Sequence, residues 1–219
     1  VTLLLSMVIV SSTWAKEWPE VKCVLTLNDG KTVEGWFLKE GFSTYGPDRL
    51  KNVDEITITP TKDGKEGTTY KADDVKVLKC IYEKEGLQKE YRSLYALKPM
   101  TRPLNLKHSN HKFFWMVGYQ GKKVIGFISD ASVIFRTSAT ERLTSKTTAY
   151  SYCVEGDEVV VTYYAPSGGI DIGSKSGLKM NFERFPEMVE LIKSKDFSVK
   201  EMKDKPFAML ETLDQYLAK

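Results

Sequence analysis

The chain has 219 residues, and its 32 Lys and Arg against 29 Asp and Glu leave a formal net charge of only +3 at pH 7. This near balance argues against a nucleic-acid partner, which would need a concentrated basic face. The length suits one large domain or two small ones. No later stretch is apolar and long enough to span a bilayer, so we expect a soluble mature chain.

The N-terminus has the pattern of a cleavable export signal. Residues 1–10 carry no charge and are nearly all apolar, and a run of small residues around one Trp follows them. Signal peptidase recognises small residues at the third-last and last positions before the cut, which here are Thr13 and Ala15. We therefore predict a signal peptide over residues 1–15, a mature N-terminus at Lys16, and a location in the periplasm, the cell envelope or the extracellular space.

Residues 21–82 are rich in hairpin signals. An Asp-Gly pair ending at Gly30 lies between two β-rich runs, which is a strong signature of a two-residue hairpin turn. Further short runs predict five strands, and a closed barrel would remove their exposed edges. We predict a small β-barrel module over residues 16–97, in which the first and last strands, carrying Cys23 and Cys80, are neighbours.

The chain has three cysteines, the third being Cys153, an odd number for a compartment where disulfides form. Two outcomes are open for Cys23 and Cys80. They form a disulfide, or they remain buried free thiols, which is the commoner state of cysteines in strands.

The rest of the chain predicts a second β region followed by helices. Residues 98–111 contain two prolines and a polar run, which is typical of a linker. Over residues 112–219, β-rich runs with Gly-containing turns predict antiparallel strands. The apolar spacing then becomes helical after Pro186, and Asp204 is placed to cap a second helix. The predicted fold class is α+β with β dominant.

The two C-terminal helices are too short to be stable alone. We therefore expect their apolar stripes to pack against the sheet around Phe114, Tyr152 and Val161.

Two resemblances follow from these patterns. The N-terminal third, with its Asp-Gly turn, its Val-x-Gly-aromatic strand and a strand entered through Asp-Asp-Val, resembles small SH3-like or Sm-like barrels. The RNA binding of Sm-like proteins does not carry over, because no RNA-contacting signature is present. The whole layout resembles exported proteins of unknown function from gut-dwelling Gram-negative anaerobes. That resemblance is carried by the leader, by the hairpin from Leu27 to Trp36, and by the tail from Phe182 to Ile192 ending in Tyr216-Leu217.

No pattern in the sequence predicts a catalytic, cofactor or metal site. The two histidines, His108 and His111, lack further ligands at recognisable spacing. No Gly-x-Ser-x-Gly elbow occurs. Cys153 lies in the middle of a predicted strand, where burial would raise its pKa and make it unreactive.

Aromatic residues are the remaining candidates for a functional surface. Neighbouring residues of a strand point to opposite faces, so one of each aromatic pair is expected to be exposed. We predict a binding surface formed by Trp115, Tyr150, Tyr152 and Tyr163. The function predicted is that of an exported, non-catalytic interaction or ligand-binding protein, whose partner is a protein or small molecule of the envelope. The alternative is an exported hydrolase-like enzyme, which would need a deep pocket with at least two titratable groups of shifted pKa.

Overall fold

The computed structural model describes residues 20–38, 53–84, 86–98, 101–136, 142–165 and 174–219. The predicted signal peptide, residues 1–15, lies outside these ranges, as does Lys16. The described residues form ten strands in one continuous sheet and four α-helices. The chain is therefore α+β with β dominant, and the coarse class predicted from the sequence is confirmed.

Five short strands form the N-terminal sheet, in the spatial order β4-β3-β2-β1-β5. The β1–β2 hairpin forms because Gly30 adopts a φ of 84° and because the Asp29 carboxylate accepts a hydrogen bond of 3.0 Å from the Lys31 N–H. A 3-10 turn over Ala72–Asp74 leads into β5. The strand bounds are β1 Val21–Leu27, β2 Thr32–Phe37, β3 Glu55–Thr59, β4 Thr68–Lys71 and β5 Val75–Tyr82.

The first and last strands of this sheet are neighbours, as the sequence predicts. Strands β1 and β5 are antiparallel, and Cys23 lies directly opposite Cys80. The apolar faces of the sheet enclose a core that includes Leu25, Ile56 and Tyr91. Among the described residues, however, β4 pairs only with β3, so the strands do not close into a ring here.

The closed barrel lies in the second half of the chain, which corrects the predicted position of the closure. Its five strands run up and down in sequence, and β10 pairs back onto β6 through Val159 opposite Tyr95 and Val160 opposite Ala96. An odd number of alternating strands brings the first and last strands together parallel, so the region is not wholly antiparallel. The bounds are β6 Leu87–Leu97, β7 His108–Gln120, β8 Val124–Arg136, β9 Arg142–Val154 and β10 Val159–Tyr164.

Strand β6 belongs both to the N-terminal sheet and to the barrel. The predicted boundary between residues 97 and 98 therefore does not separate two modules. Residues 87–92 of β6 pair with β5, and Tyr95 and Ala96 pair with β10. The predicted linker, residues 98–111, contains a 3-10 turn over Pro103–Asn105 and the first residues of β7. The polar His108 to His111 run is part of a strand because it pairs with the end of β6.

Four helices follow the barrel, where the sequence predicts two. Ser174 begins the first of the unpredicted helices, and its hydroxyl accepts a hydrogen bond of 3.2 Å from the Gly177 N–H. Asp204 ends a helix and does not cap one. No helix among the described residues reaches the length and apolarity of a membrane span. The bounds are α1 Lys175–Asn181, α2 Pro186–Lys193, α3 Val199–Asp204 and α4 Ala208–Leu217.

The helices cover the outer face of the barrel, as their apolar stripes predict. Met188, Ile192 and Leu210 are buried in one cluster with Tyr152 and Val161. One detail differs from the prediction: Phe114 belongs to the N-terminal core, because β7 turns that face towards β1–β5. On α2, the Leu191 side chain stays exposed.

Helix α4 packs closely on the β7–β8 hairpin because glycines leave room for it. A Cβ atom at Gly118 would lie 2.6 Å from the ring of Phe207, and one at Gly126 would lie 2.7 Å from a methyl group of Leu210. Real Cβ atoms do not approach other heavy atoms so closely. A side chain at either position would therefore force the side chains packed there, among them Phe207 and Leu210, to shift.

A buried carboxylate holds the turn of the same hairpin. Asp214 of α4 accepts hydrogen bonds from the backbone N–H groups of Lys122, Lys123 and Val124, at 3.0, 2.6 and 2.9 Å. Burial alone would raise the pKa of Asp214, but these three donors outweigh it and lower the pKa below its usual value. A Cβ at Gly121 would lie 2.4 Å from the carboxylate.

Substituting Gly126→Ala should lower the free energy of unfolding by about 1–3 kcal/mol, the usual cost of overpacking. The matched control is Gly177→Ala in α1, where the nearest atom to a Cβ is 3.5 Å away and where Ala is the better helix former. Chemical denaturation of both variants measures the difference. Equal stability of the two variants would contradict the close packing of α4 on β8.

Substituting Asp214→Asn should lower the free energy of unfolding by about 2 kcal/mol at pH 7, because the amide is uncharged and has one acceptor oxygen for three N–H donors. The pKa of Asp214 is lower in the folded chain, so its contribution is complete above the unfolded-state pKa of about 4. The contribution disappears as the pH falls through the folded-state pKa. Denaturation from pH 7 to pH 2 should therefore show wild type and variant converging, and the exposed Asp204→Asn variant should match wild type throughout.

Candidate functional site

The four aromatic residues predicted as a binding surface are mainly packing residues. Trp115 is buried, and its Nε1 donates a 3.0 Å hydrogen bond to the Leu94 carbonyl. Tyr152 and Tyr163 are fully buried, and their hydroxyls donate to the carbonyls of Asn181 and Pro206. Tyr150 is half-buried and meets the Phe207 ring edge-on, with the ring centroids 5.5 Å apart. The exposed aromatic surface is therefore not formed, because the helices cover one face and the barrel encloses the other.

The two cysteines of the N-terminal sheet face each other in its core. Cys23 and Cys80 are opposite one another in the ladder, fully buried, and present as free thiols. A hydrogen bond with Cys23, together with burial, raises the pKa of the Cys80 thiol. Directly opposite residues have a Cα separation that a disulfide can bridge. The disulfide stays one of the two outcomes that the sequence leaves open.

A cavity of about 720 Å³ opens at one end of the barrel. The β7–β8 and β9–β10 turns lie at this end, and Asn28 and Lys76 of the N-terminal sheet complete the wall. We call it the mouth cavity. Its lining residues are Asn28, Lys76, Arg92, Ser93, Leu94, Lys112, Gln120, Lys122, Lys123, Val124, Ile125, Cys153, Val154, Glu155, Gly156, Asp157 and Glu158.

The cavity arises where the sheet forks. On one edge of β6, pairing with β5 ends at Arg92 and pairing with β10 begins at Tyr95. The strands β5 and β10 therefore diverge at Ser93 and Leu94, which both line the cavity. Ser93 is buried, and among the described residues its hydroxyl has no hydrogen-bond partner.

The floor of the mouth cavity is apolar. Leu94, Ile125 and Cys153 line it and belong to the cluster that fills the barrel interior, together with Trp115 and Phe127. Leu94 and Ile125 are only half-buried. The interior cluster therefore presents apolar surface to the cavity.

The acidic side chains of the cavity wall are all held in ion pairs. Glu155 contacts Lys123 at 2.6 Å, and Glu158 contacts Lys112 at 2.9 Å. Asp157 makes a two-pronged pair with Arg184, with N–O distances of 2.6 and 3.3 Å. The hydrogen bond to Asp157 raises the pKa of the Arg184 guanidinium.

Three cations of the wall lie outside these pairs. Arg92 contacts Glu90 at 2.7 Å through one terminal nitrogen, while its Nε is buried without a partner among the described residues. Arg92 lies directly opposite Trp115 in the β6–β7 ladder, so its side chain shares the inner face of the barrel. In the part of the chain that the structure describes, Lys76 and Lys122 have no ion pair.

The remaining titratable groups give little chemistry to the cavity. Burial raises the pKa of the Cys153 thiol to about 12, and the thiol donates to the Asp157 carbonyl at 3.2 Å. His108 and His111 lie exposed on β7, and His111 Nδ1 is 3.2 Å from an Asp73 oxygen. Among the described residues, no group of three or more His, Cys, Asp or Glu is placed to hold a metal ion.

Sequence reasoning did not find the mouth cavity because its residues come from five strands and three turns. In the sequence, the only signals of this site are two clusters of charged residues, Lys122-Lys123 and the acidic run at residues 155–158. Their convergence with Arg92 depends on the return of β10 to β6.

No family model, curated protein or solved structure matches this chain. The site must therefore be interpreted from its own geometry: an apolar floor, a wall of paired acidic residues, and three cations without an acidic partner in the cavity.

Proposed function

We propose that this protein is an exported, non-catalytic binding protein of the periplasm or cell envelope, and that the mouth cavity holds a small-molecule ligand. The observation that carries the proposal is the volume of the cavity, about 720 Å³. Ligand pockets usually measure about 300–1,000 Å³ and are common in the mouths of β-barrels. An apolar floor with a few polar groups around it is the usual lining of such sites.

A non-catalytic role is supported by the state of the nucleophile nearest the cavity floor. Cys153 has a pKa of about 12, so at neutral pH it is a thiol and not the reactive thiolate. The alternative, a hydrolase-like enzyme, requires a base beside a nucleophile. The carboxylates at the cavity wall are instead engaged with Lys112, Lys123 and Arg184.

The N-terminal sheet is proposed to be of the SH3-like type. Support comes from the pairing of its first and last strands and from the 3-10 turn over Ala72–Asp74 before β5. In this proposal the sheet acts as the platform that carries Asn28 and Lys76 to the cavity wall.

The binding function predicts that small molecules enter the mouth cavity. A set of neutral and charged fragments should include some that shift the NMR amide signals of cavity residues such as Leu94 and Gly156. Substituting Ile125→Trp, which fills the floor, should abolish those shifts. The matched control, Leu104→Trp, changes a side chain that is 63% exposed and should leave them intact. A fragment set that shifts only amides elsewhere would contradict the proposal.

Export predicts the covalent state of the protein recovered from the envelope. Intact mass spectrometry should give a chain beginning at Lys16, because the small residues Thr13 and Ala15 precede the cut. The same mass also decides between the two outcomes open for Cys23 and Cys80, because a disulfide formed in an oxidising compartment removes two hydrogens and free thiols keep them. If the mass difference is present, a Cys153→Ser variant should keep it and a Cys80→Ser variant should lose it. A chain that retains residues 1–15 would contradict export.

A further inference from the structure

The cations of the mouth cavity indicate the chemical class of its ligand. We infer that the cavity binds a small amphipathic anion, a molecule with an apolar body and one carboxylate or phosphate group, an assignment that rests on the function proposed above. It follows from the charge left over in the wall, from the position of Arg92 and from the apolar floor.

The wall has an excess of positive charge that its own residues do not neutralise. Five basic and three acidic side chains line the cavity. Glu155 and Glu158 are neutralised by two of the lining lysines, and Asp157 is neutralised by Arg184 from outside the lining. Lys76, Lys122 and Arg92 are what remain. Glu90 contacts Arg92, and Asp214 lies beside the backbone of Lys122 outside the lining. A cationic ligand would therefore meet like charges, while each carboxylate among the described lining residues is already paired.

Arg92 is the residue best placed to bind the anionic group. A guanidinium carries five N–H donors, and its planar fork matches the two oxygens of a carboxylate or phosphate. For Arg92, Glu90 is the one acceptor among the described residues. Arg92 lies at the fork of the sheet, where pairing with β5 ends, and it lines the cavity. Charge-assisted hydrogen bonds at such a site are stronger than those between neutral groups.

The apolar floor accounts for the second half of the ligand. Leu94 lies two residues after Arg92 on the same face of β6, and Ile125 lies beside it in the interior cluster. A ligand whose charged end meets Arg92 would place its apolar body on these side chains and remove their surface from water. A simple inorganic anion would leave the floor solvated, so the two features together favour an amphipathic molecule.

Three matched probes separate charge from apolar contact: octanoate, octan-1-ol and octylammonium. They share one alkyl chain and differ in the charge of the head group. NMR titration of the full chain, followed at the amides of Leu94, Ile125 and Gly156, should show octanoate binding at least about tenfold more tightly than the other two, as expected for one charge-assisted contact. The octanoate affinity should also weaken as the salt concentration rises.

Two variants test the role assigned to Arg92. Arg92→Gln keeps a polar side chain but removes the guanidinium and its charge, and it should weaken octanoate about tenfold while leaving octan-1-ol unchanged. Lys200→Gln removes the same charge from an exposed position on α3 and should affect neither probe. Wild-type thermal stability of both variants checks that they fold. Equal octanoate affinity in Arg92→Gln and Lys200→Gln would overturn the role of Arg92.

The outcomes separate this inference from the function on which it rests. Equal affinity for octanoate and octan-1-ol, or a preference for octylammonium, would overturn the anionic ligand and leave the binding function standing. Failure of all three probes, together with failure of the fragment set, would overturn both. Sedimentation of the chain with vesicles of an anionic phospholipid would assign the cations to a membrane headgroup and overturn the inference of a free ligand.

Discussion

The double pairing of β6 is the constraint on which the rest of the structure depends. Its first half completes the N-terminal sheet through β5, and its second half closes the barrel through β10, both on the same edge. One 11-residue strand thereby supplies the hydrogen bonds that join the two halves of the chain. Each backbone group on this edge of β6 can hydrogen-bond to only one neighbouring strand. The strands β5 and β10 must therefore separate where one pairing ends and the other begins, at Ser93 and Leu94. That separation creates the mouth cavity.

The C-terminal helix is coupled to the cavity through a single carboxylate. Asp214 holds the β7–β8 turn by three backbone hydrogen bonds, and this turn carries Lys122 and Lys123 to the cavity wall. The glycines at 118, 121 and 126 allow α4 close enough for these bonds to form. A helix on the outer face of the barrel is thereby linked by hydrogen bonds to the turn that carries two cavity lysines.

The aromatic residues illustrate the limit of strand patterning. The rule that successive side chains of a strand point to opposite faces correctly places Tyr152 and its sequence neighbours on different faces of β9. The rule cannot show what covers each face. In the structure, one face of β9 is covered by Phe182 and the other helix residues, and the opposite face looks into the barrel. Both faces are buried, so the predicted surface does not exist there. Arg92 shows the opposite error. A charged residue in a strand is expected to face solvent, but Arg92 lies on the inner face of the barrel, opposite Trp115.

The sequence by itself determined the local features of this protein, because turn chemistry and apolar spacing act between residues close in the chain. The Gly30 hairpin, the β-dominant class and the helical tail follow from such short-range rules. The pairing of β1 with β5, which sets Cys23 opposite Cys80, joins strands that are distant in the chain. The tertiary structure alone decided where the barrel closes and which cations gather at its mouth. Those outcomes depend on hydrogen bonds between β6 and β10 and on the contact of Asp214 with a turn about 90 residues away. No local sequence pattern predicts which distant partner a strand or a carboxylate will contact.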